Sequence, residues 1–129
     1  MRIFKNKPFT RFANKVGVTD AVLREAILNA ERGLVDADLG GGVLKQRIAR
    51  AGGGKSGGFR TIILFKVGDR AFFVHGFAKN EKGNIRAEEL AAFKMLAQQM
   101  LGYSEPALDV AVRAGILVEV TSDDEAIPQ

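Results

Sequence analysis

Two apolar runs constrain what this chain can become. Residues 59–67 (FRTIILFKV) and 70–78 (RAFFVHGFA) are rich in β-branched and aromatic side chains, and only Gly68-Asp69 separates them. Such composition reads as strand. A two-residue connection with glycine first reads as a tight hairpin turn. With Val67 opposite Arg70, the pairing sets Arg60 opposite Phe77 and Ile62 opposite His75. Directly opposed residues share a face, as do residues two apart on one strand. Arg60, His75, Phe77 and Lys79 are therefore expected on one face, near the open end of the hairpin. A slip of one residue would send Arg60 and Lys79 to opposite faces.

The run Gly52-Gly53-Gly54-Lys55-Ser56-Gly57-Gly58-Phe59-Arg60 leads into the first of these strands. Glycines clear side chains from around a ligand and free the backbone. Lys55 and Arg60 add positive charge, so a phosphate-bearing partner is the first expectation. Gly54-Lys55-Ser56 does not complete a P-loop. The motif's leading glycine would fall at Ala49, and a strand follows the loop where a helix N-terminus should face the phosphates.

Charge is unevenly spread. Residues 41–82 carry 9 basic and 2 acidic side chains, a net +7, whereas residues 83–129 carry 3 basic and 8 acidic, a net −5. Positive charge gathered around the glycine loop suits a polyanion, because neutralising phosphates releases condensed counterions. A solvated basic face is the plainer alternative.

The 129 residues suit one domain, 1–129, with a loose acidic tail from about residue 121. No cysteine is present, so there is neither a disulfide framework nor a Cys-based zinc site, which suits a reducing cytoplasm. The basic N-terminus is not followed by the apolar run of a signal peptide, and no stretch is long enough to span a membrane. A cytoplasmic protein without a membrane partner is expected.

Along the chain, Phe9, Phe12, Ala13 and Val16 mark one face of a helix that Gly17 ends. Thr19 or Asp20 caps a second helix facing inward through Val22, Leu23, Ala26, Ile27 and Ala30, with Gly33 as its stop. Residues 36–42 read as a connector. Residues 43–48 (VLKQRI) read as a strand with Lys45 and Arg47 on its basic face. Asn84 is the expected cap of a helix with the apolar stripe Leu90, Phe93, Ala97, Met100 and Leu101. A short helix over 106–113 and a strand over 116–120 follow.

The single histidine, His75, sits inside an apolar strand and reads first as a satisfied or half-buried strand residue; a general base there would need geometry that the sequence does not show. Asp36 and Asp38 lack the further ligands of a metal site, so neither metal nor cofactor is expected. The chemistry left is cationic: Lys45, Arg47, Arg50, Lys55, Arg60, Lys79 and Lys82. Crowded cations stabilise the charge that builds on a pentavalent phosphorane. RNA supplies its own nucleophile, the 2′-hydroxyl.

The run 37–50 (ADLGGGVLKQRIAR), then Gly54-Lys55-Ser56-Gly57-Gly58-Phe59-Arg60-Thr61, then Gly76-Phe77-Ala78-Lys79-Asn80-Glu81 resembles a HigB-like branch of the RelE/ParE superfamily of bacterial type II toxins. The resemblance covers nearly the whole chain. It implies an α+β fold, with two N-terminal helices packed on a small antiparallel β-sheet and a C-terminal helix. It also implies a metal-free, ribosome-dependent mRNA endonuclease. Implied partners are the ribosome, mRNA and an antitoxin, usually a helix-turn-helix DNA-binding protein, through which alone an operator would be touched. By position, Lys55 and Arg60 match the family's loop lysine and strand arginine, Lys79 the lysine after the last long strand, and Lys45, Arg47 and Arg50 the basic positions leading into the loop. Lys55, Arg60 and Lys79 are the expected catalytic residues, and Lys45, Arg47, Arg50 and Lys82 the expected RNA-binding ones. Many members add an aromatic or histidine near the C-terminus; Tyr103, the only tyrosine, matches no such position. The superfamily also holds gyrase poisons, and a non-catalytic nucleic-acid-binding or co-repressor module is a third possibility.

Overall fold

The computed structural model of the chain describes residues 1–49, 58–78 and 85–121. In chain order these form β1 (Arg2–Asn6), α1 (Lys7–Val16), α2 (Asp20–Glu31), β2 (Ala37–Gly40), β3 (Val43–Ile48), β4 (Phe59–Lys66), β5 (Arg70–Ala78), α3 (Ala87–Met100), α4 (Glu105–Arg113) and β6 (Leu117–Glu119). The strands make one sheet in the order β2-β3-β4-β5-β1-β6. Helices α1 and α2 pack on one face, around Phe9, Leu23, Ile27, Ile63 and Phe73. Helices α3 and α4 cover the other, around Phe4, Ile62, Leu64, Phe72, Ala97 and Leu108.

The α+β class holds, and two points of the expected architecture are corrected. The sheet is mixed, because β1 runs parallel to β5 while the other neighbours are antiparallel. Its five residues, RIFKN, carry too little alternation to signal a strand, and parallel pairing is a long-range event with no local mark. Residues 37–40, expected in a connector, form edge strand β2 against β3. Gly40, Gly41 and Gly42 all have positive φ and turn the chain back, so the glycine-rich composition hid a hairpin.

Local signals place the helices. The Asn6 side chain accepts the Phe9 N–H at 2.9 Å and caps α1, and Gly17 closes that helix in the left-handed conformation, φ 76°. Thr19 and Ser104 cap α2 and α4. Asn84 lies outside the described residues. Helix α3 starts after Arg86, whose N–H donates to Glu89 Oε1 at 2.8 Å. In α3, Ala97 and Met100 are buried and Leu90, Phe93 and Leu101 pack against that cluster, while Met95 is exposed. The expected tail lies outside the described residues beyond Thr121, whose N–H donates to Asp20 Oδ2 at 3.3 Å.

Strand β4 is buried from Phe59 to Phe65. It lies inside the sheet with helices on both sides, which is why its sequence is a continuous apolar run rather than an alternation. The turn after it differs from expectation. Lys66 pairs with Arg70, leaving Val67, Gly68 and Asp69 as a three-residue loop with Gly68 at φ 70°. A register shift between Ile62 and Ile63 then inserts Val74 as an extra residue of β5, a bulge. The two deviations cancel. Beyond the bulge, Ile62 is opposite His75 and Arg60 opposite Phe77, as the simple turn also required. Asn6 Nδ2 donates to the Val74 carbonyl at 3.2 Å, so one side chain both caps α1 and satisfies the bulge.

At the turn end of the sheet, Arg2 donates to Glu119, Glu105 and Asp109 at 2.8–3.0 Å, tying β1 to α4 and β6. Arg70 donates to Asp69, Glu105 and the Tyr103 carbonyl. The hydrogen bond from Arg70 holds the Asp69 carboxyl below its usual 3.8. A depressed carboxyl stabilises the fold above its unfolded pKa, and the contribution disappears as pH falls through the folded value. Asp69→Asn should therefore lower urea stability at pH 7, with the gap to wild type narrowing as pH falls below 3.8; a gap that does not change with pH in the acid range would refute the linkage. Gly76 has a different role. A Cβ there would lie 2.4 Å from Phe12 Cε2, and Phe12 stands edge-on to Phe59 at 5.4 Å. Gly76→Ala is expected to cost about 1–3 kcal/mol in the same assay, because overpacking forces the ring to shift.

Candidate functional site

The β3–β4 pairing builds a cationic face. Lys45 lies opposite Ile62 and Arg47 opposite Arg60. Alternation along β3 sends Leu44, Gln46 and Ile48 towards α1 and α2, leaving Lys45 and Arg47 with Arg60 on the other side. Phe77 and His75 share that face by the β4–β5 register. His75 is partly buried, with Phe77 and Phe93 at ring-centroid distances of 5.6 and 5.8 Å, which fits the strand-residue reading.

Arg60 differs from a solvated surface cation. It is 7% exposed. A charge taken out of water needs a partner, and Asp36, the residue before β2, provides one. Asp36 Oδ2 lies 3.5 Å from Arg60 Nε and 3.7 Å from Lys45 Nζ, while its Oδ1 lies 3.1 Å from Arg47 Nε. Among the described residues, these three cations share the one carboxylate. Arg60 Nη1 is buried and has no hydrogen-bond partner among the described residues. A donor of this kind in a low-dielectric setting suits an anion, since electrostatic attraction is stronger there than in water.

The carboxylate is itself fixed from the opposite side of the sheet. Gln46, 5% exposed, accepts the Asp36 N–H on Oε1 at 3.2 Å and donates Nε2 to the Ala26 and Leu34 carbonyls at 3.1 and 2.9 Å. Thr61 Oγ1 donates to the Gln46 carbonyl at 3.0 Å, linking β4 to the same point. A hydrogen-bonded chain thus runs from helix α2 through Gln46 to Asp36 and on to the guanidinium groups.

Of the residues expected in the site, Lys45, Arg47 and Arg60 come together. Arg50, Lys55, Lys79 and Lys82 lie outside the described residues. Ile48 pairs with Phe59 and Phe59 with Ala78, so the three strand ends that border the 50–57 and 79–84 segments stand side by side. Sequence reasoning missed Asp36, weighing it only with Asp38 as a metal ligand. Asp38 serves a local turn instead, its Oδ1 accepting the Gly40 N–H at 2.9 Å. Among the described residues, no three His, Asp or Glu side chains gather as metal ligands would. The signal for Asp36 was available in principle: an acid flanking a hairpin whose other strand carries Lys45 and Arg47.

A model of the family described as the RelE toxin of the RelE/RelB toxin–antitoxin system matches residues 1–120. No curated protein matches the chain.

A buried cation kept for binding has a thermodynamic signature. Removing one partner of a buried ion pair is costly when it strands the other charge, but here Asp36 would keep Arg47 and Lys45. Arg60→Met is expected to fold with a urea stability no more than about 1 kcal/mol below wild type, or above it. A loss of more than about 3 kcal/mol would mark Arg60 as structural.

Proposed function

Because the chain belongs to the RelE toxin family of a toxin–antitoxin system, we propose that it arrests translation by cutting messenger RNA on the ribosome, as a HigB-like endoribonuclease. The observation that supports this most is the buried Arg60 with its unpartnered Nη1, set beside Arg47 and Lys45.

The reaction asks little covalent chemistry of the protein. The RNA 2′-oxygen attacks the neighbouring phosphorus, losing its proton as the new bond forms. The bond to the 5′-oxygen breaks, and that oxygen takes up a proton. Negative charge grows on the non-bridging oxygens between these events, and fixed cations offset it. Arg60 and Lys79 hold the scissile phosphate. Lys55 supports the same charge or carries the proton, a role open to a lysine whose charged form is disfavoured by cationic neighbours. Lys45, Arg47, Arg50 and Lys82 grip the RNA strand. The mechanism uses no metal or cofactor.

The family brings a cognate antitoxin as partner. A helix-turn-helix antitoxin that alone contacts operator DNA fits the HigB-like branch. The site of action is the cytoplasm, where ribosomes and message are; among the described residues no helix is long and apolar enough to cross a membrane.

The test is cleavage of a defined message by purified protein, with and without translating ribosomes, with 5′ ends mapped by primer extension. Cuts that require ribosomes are expected. Cuts in free RNA would keep the nuclease and remove the ribosome from its mechanism, and an intact message in both would overturn the reading in favour of gyrase or a binding role. In cells, Arg60→Met and Lys55→Ala should each relieve growth arrest while the protein accumulates in folded form. Full toxicity in both variants would remove this site from the mechanism.

A further inference from the structure

Arg47 and Arg60 are direct cross-strand partners on one face of the sheet. Like charges so placed repel. Asp36 stands between them, taking Arg47 Nε on one carboxylate oxygen and Arg60 Nε on the other. Both guanidinium groups are therefore held at Nε, next to the aliphatic stem. Nη1 is a separate donor of the same planar group, and that of Arg60 is buried with no hydrogen-bond partner among the described residues. The backbone that carries the carboxylate is anchored, because Gln46 accepts the Asp36 N–H and is bonded in turn to the Ala26 and Leu34 carbonyls.

We propose that Asp36 is a positioning residue, which sets Arg60 and Arg47 side by side so that their Nη groups meet one phosphate of the RNA backbone. The inference rests on the RNA-cleaving reading for the identity of the anion. Its geometry stands without that reading. A planar guanidinium recognises phosphate by direction as well as by charge, and orientation is what Asp36 supplies.

Two roles for this carboxylate predict opposite results. A mere counter-charge would weaken RNA binding, so that removing it would raise activity. A positioning group, when neutralised, leaves a site that attracts RNA at least as well but aims its donors poorly. Asp36→Asn keeps the shape and removes the charge. Cleavage at saturating RNA should fall about 10–100-fold, the scale of a misplaced catalytic group, with KM unchanged or lower.

The structural arm needs no catalysis. In ¹⁵N NMR spectra of the whole chain, with peaks assigned through Arg60→Met and Arg47→Met, the Nε–H signals of both arginines should be protected from exchange in wild type. That protection should be lost in Asp36→Asn, while a 2′-deoxy oligonucleotide, which cannot be cleaved, binds no more weakly than to wild type. Unchanged Nε–H protection, or an unchanged or higher kcat, would overturn the proposal. If the wild-type protein cleaves no RNA, the nuclease reading fails and the NMR arm still decides whether Asp36 positions the arginines. Should Asp36→Asn not fold, Asp36→Glu keeps the charge and moves the carboxylate by one methylene. Shifted Arg60 Nε–H resonances with kcat reduced at least about fivefold would support positioning, and wild-type resonances and rate would overturn it.

Discussion

The ion pair between Asp36 and Arg60 is what lets this sheet bury a guanidinium near the end of β4. Strand β4 is covered on both faces, and its neighbours leave little water for a guanidinium. An unpaired charge there would cost several kcal/mol on the scale of buried ions in real proteins. Asp36 compensates Arg60 and also separates it from Arg47, its direct cross-strand partner. Among the described residues one carboxylate is shared by three cations, with the Asp36 backbone tied through Gln46 to helix α2, and the proposed RNA site draws on that arrangement.

The described part of the proposed site, Lys45, Arg47 and Arg60, is carried by strands inside the sheet. Donors built on strands are held more firmly than donors on flexible segments. Each side chain of the described cluster arises from β3, β4 or the residue that leads into β2. At the opposite end, Arg2 and Arg70 tie β1 and the turn to α4 and β6 through Glu105, Asp109 and Glu119. The charged networks at the two ends of the sheet differ in balance. The turn-end network sets Arg2, Arg70 and Lys66 against Asp69, Glu105, Asp109 and Glu119, whereas at Asp36, among the described residues, three cations share one carboxylate.

Register gives the clearest measure of how far sequence reasoning reached. A two-residue turn from Gly68-Asp69 implied Arg60 opposite Phe77, and that pairing is present. The route is different, because a three-residue loop and a bulge at Val74 each shift the ladder by one and restore it together. A bulge has no local sequence signal. This one depends on Asn6, distant in sequence, whose side chain satisfies the Val74 carbonyl. Strand β1 was illegible for a similar reason, since its pairing with β5 and β6, both distant in sequence, makes RIFKN a strand.

The sequence by itself determined the elements whose signals are local: Asn6, Gly17, Thr19 and Ser104 at helix ends, the apolar runs of β4 and β5, and the gathering of basic residues at 41–82. It also put Lys45 and Arg47 on one side of β3, because alternation along a strand needs no partner to be read. Tertiary structure alone decided that helices cover both faces, that β1 joins in parallel, and that Asp36 reaches the arginines. The physical reason is common to all three. Which groups meet across a sheet, and which charge must be compensated, depend on pairings between segments far apart in the chain, and periodicity within a segment carries no record of its neighbours.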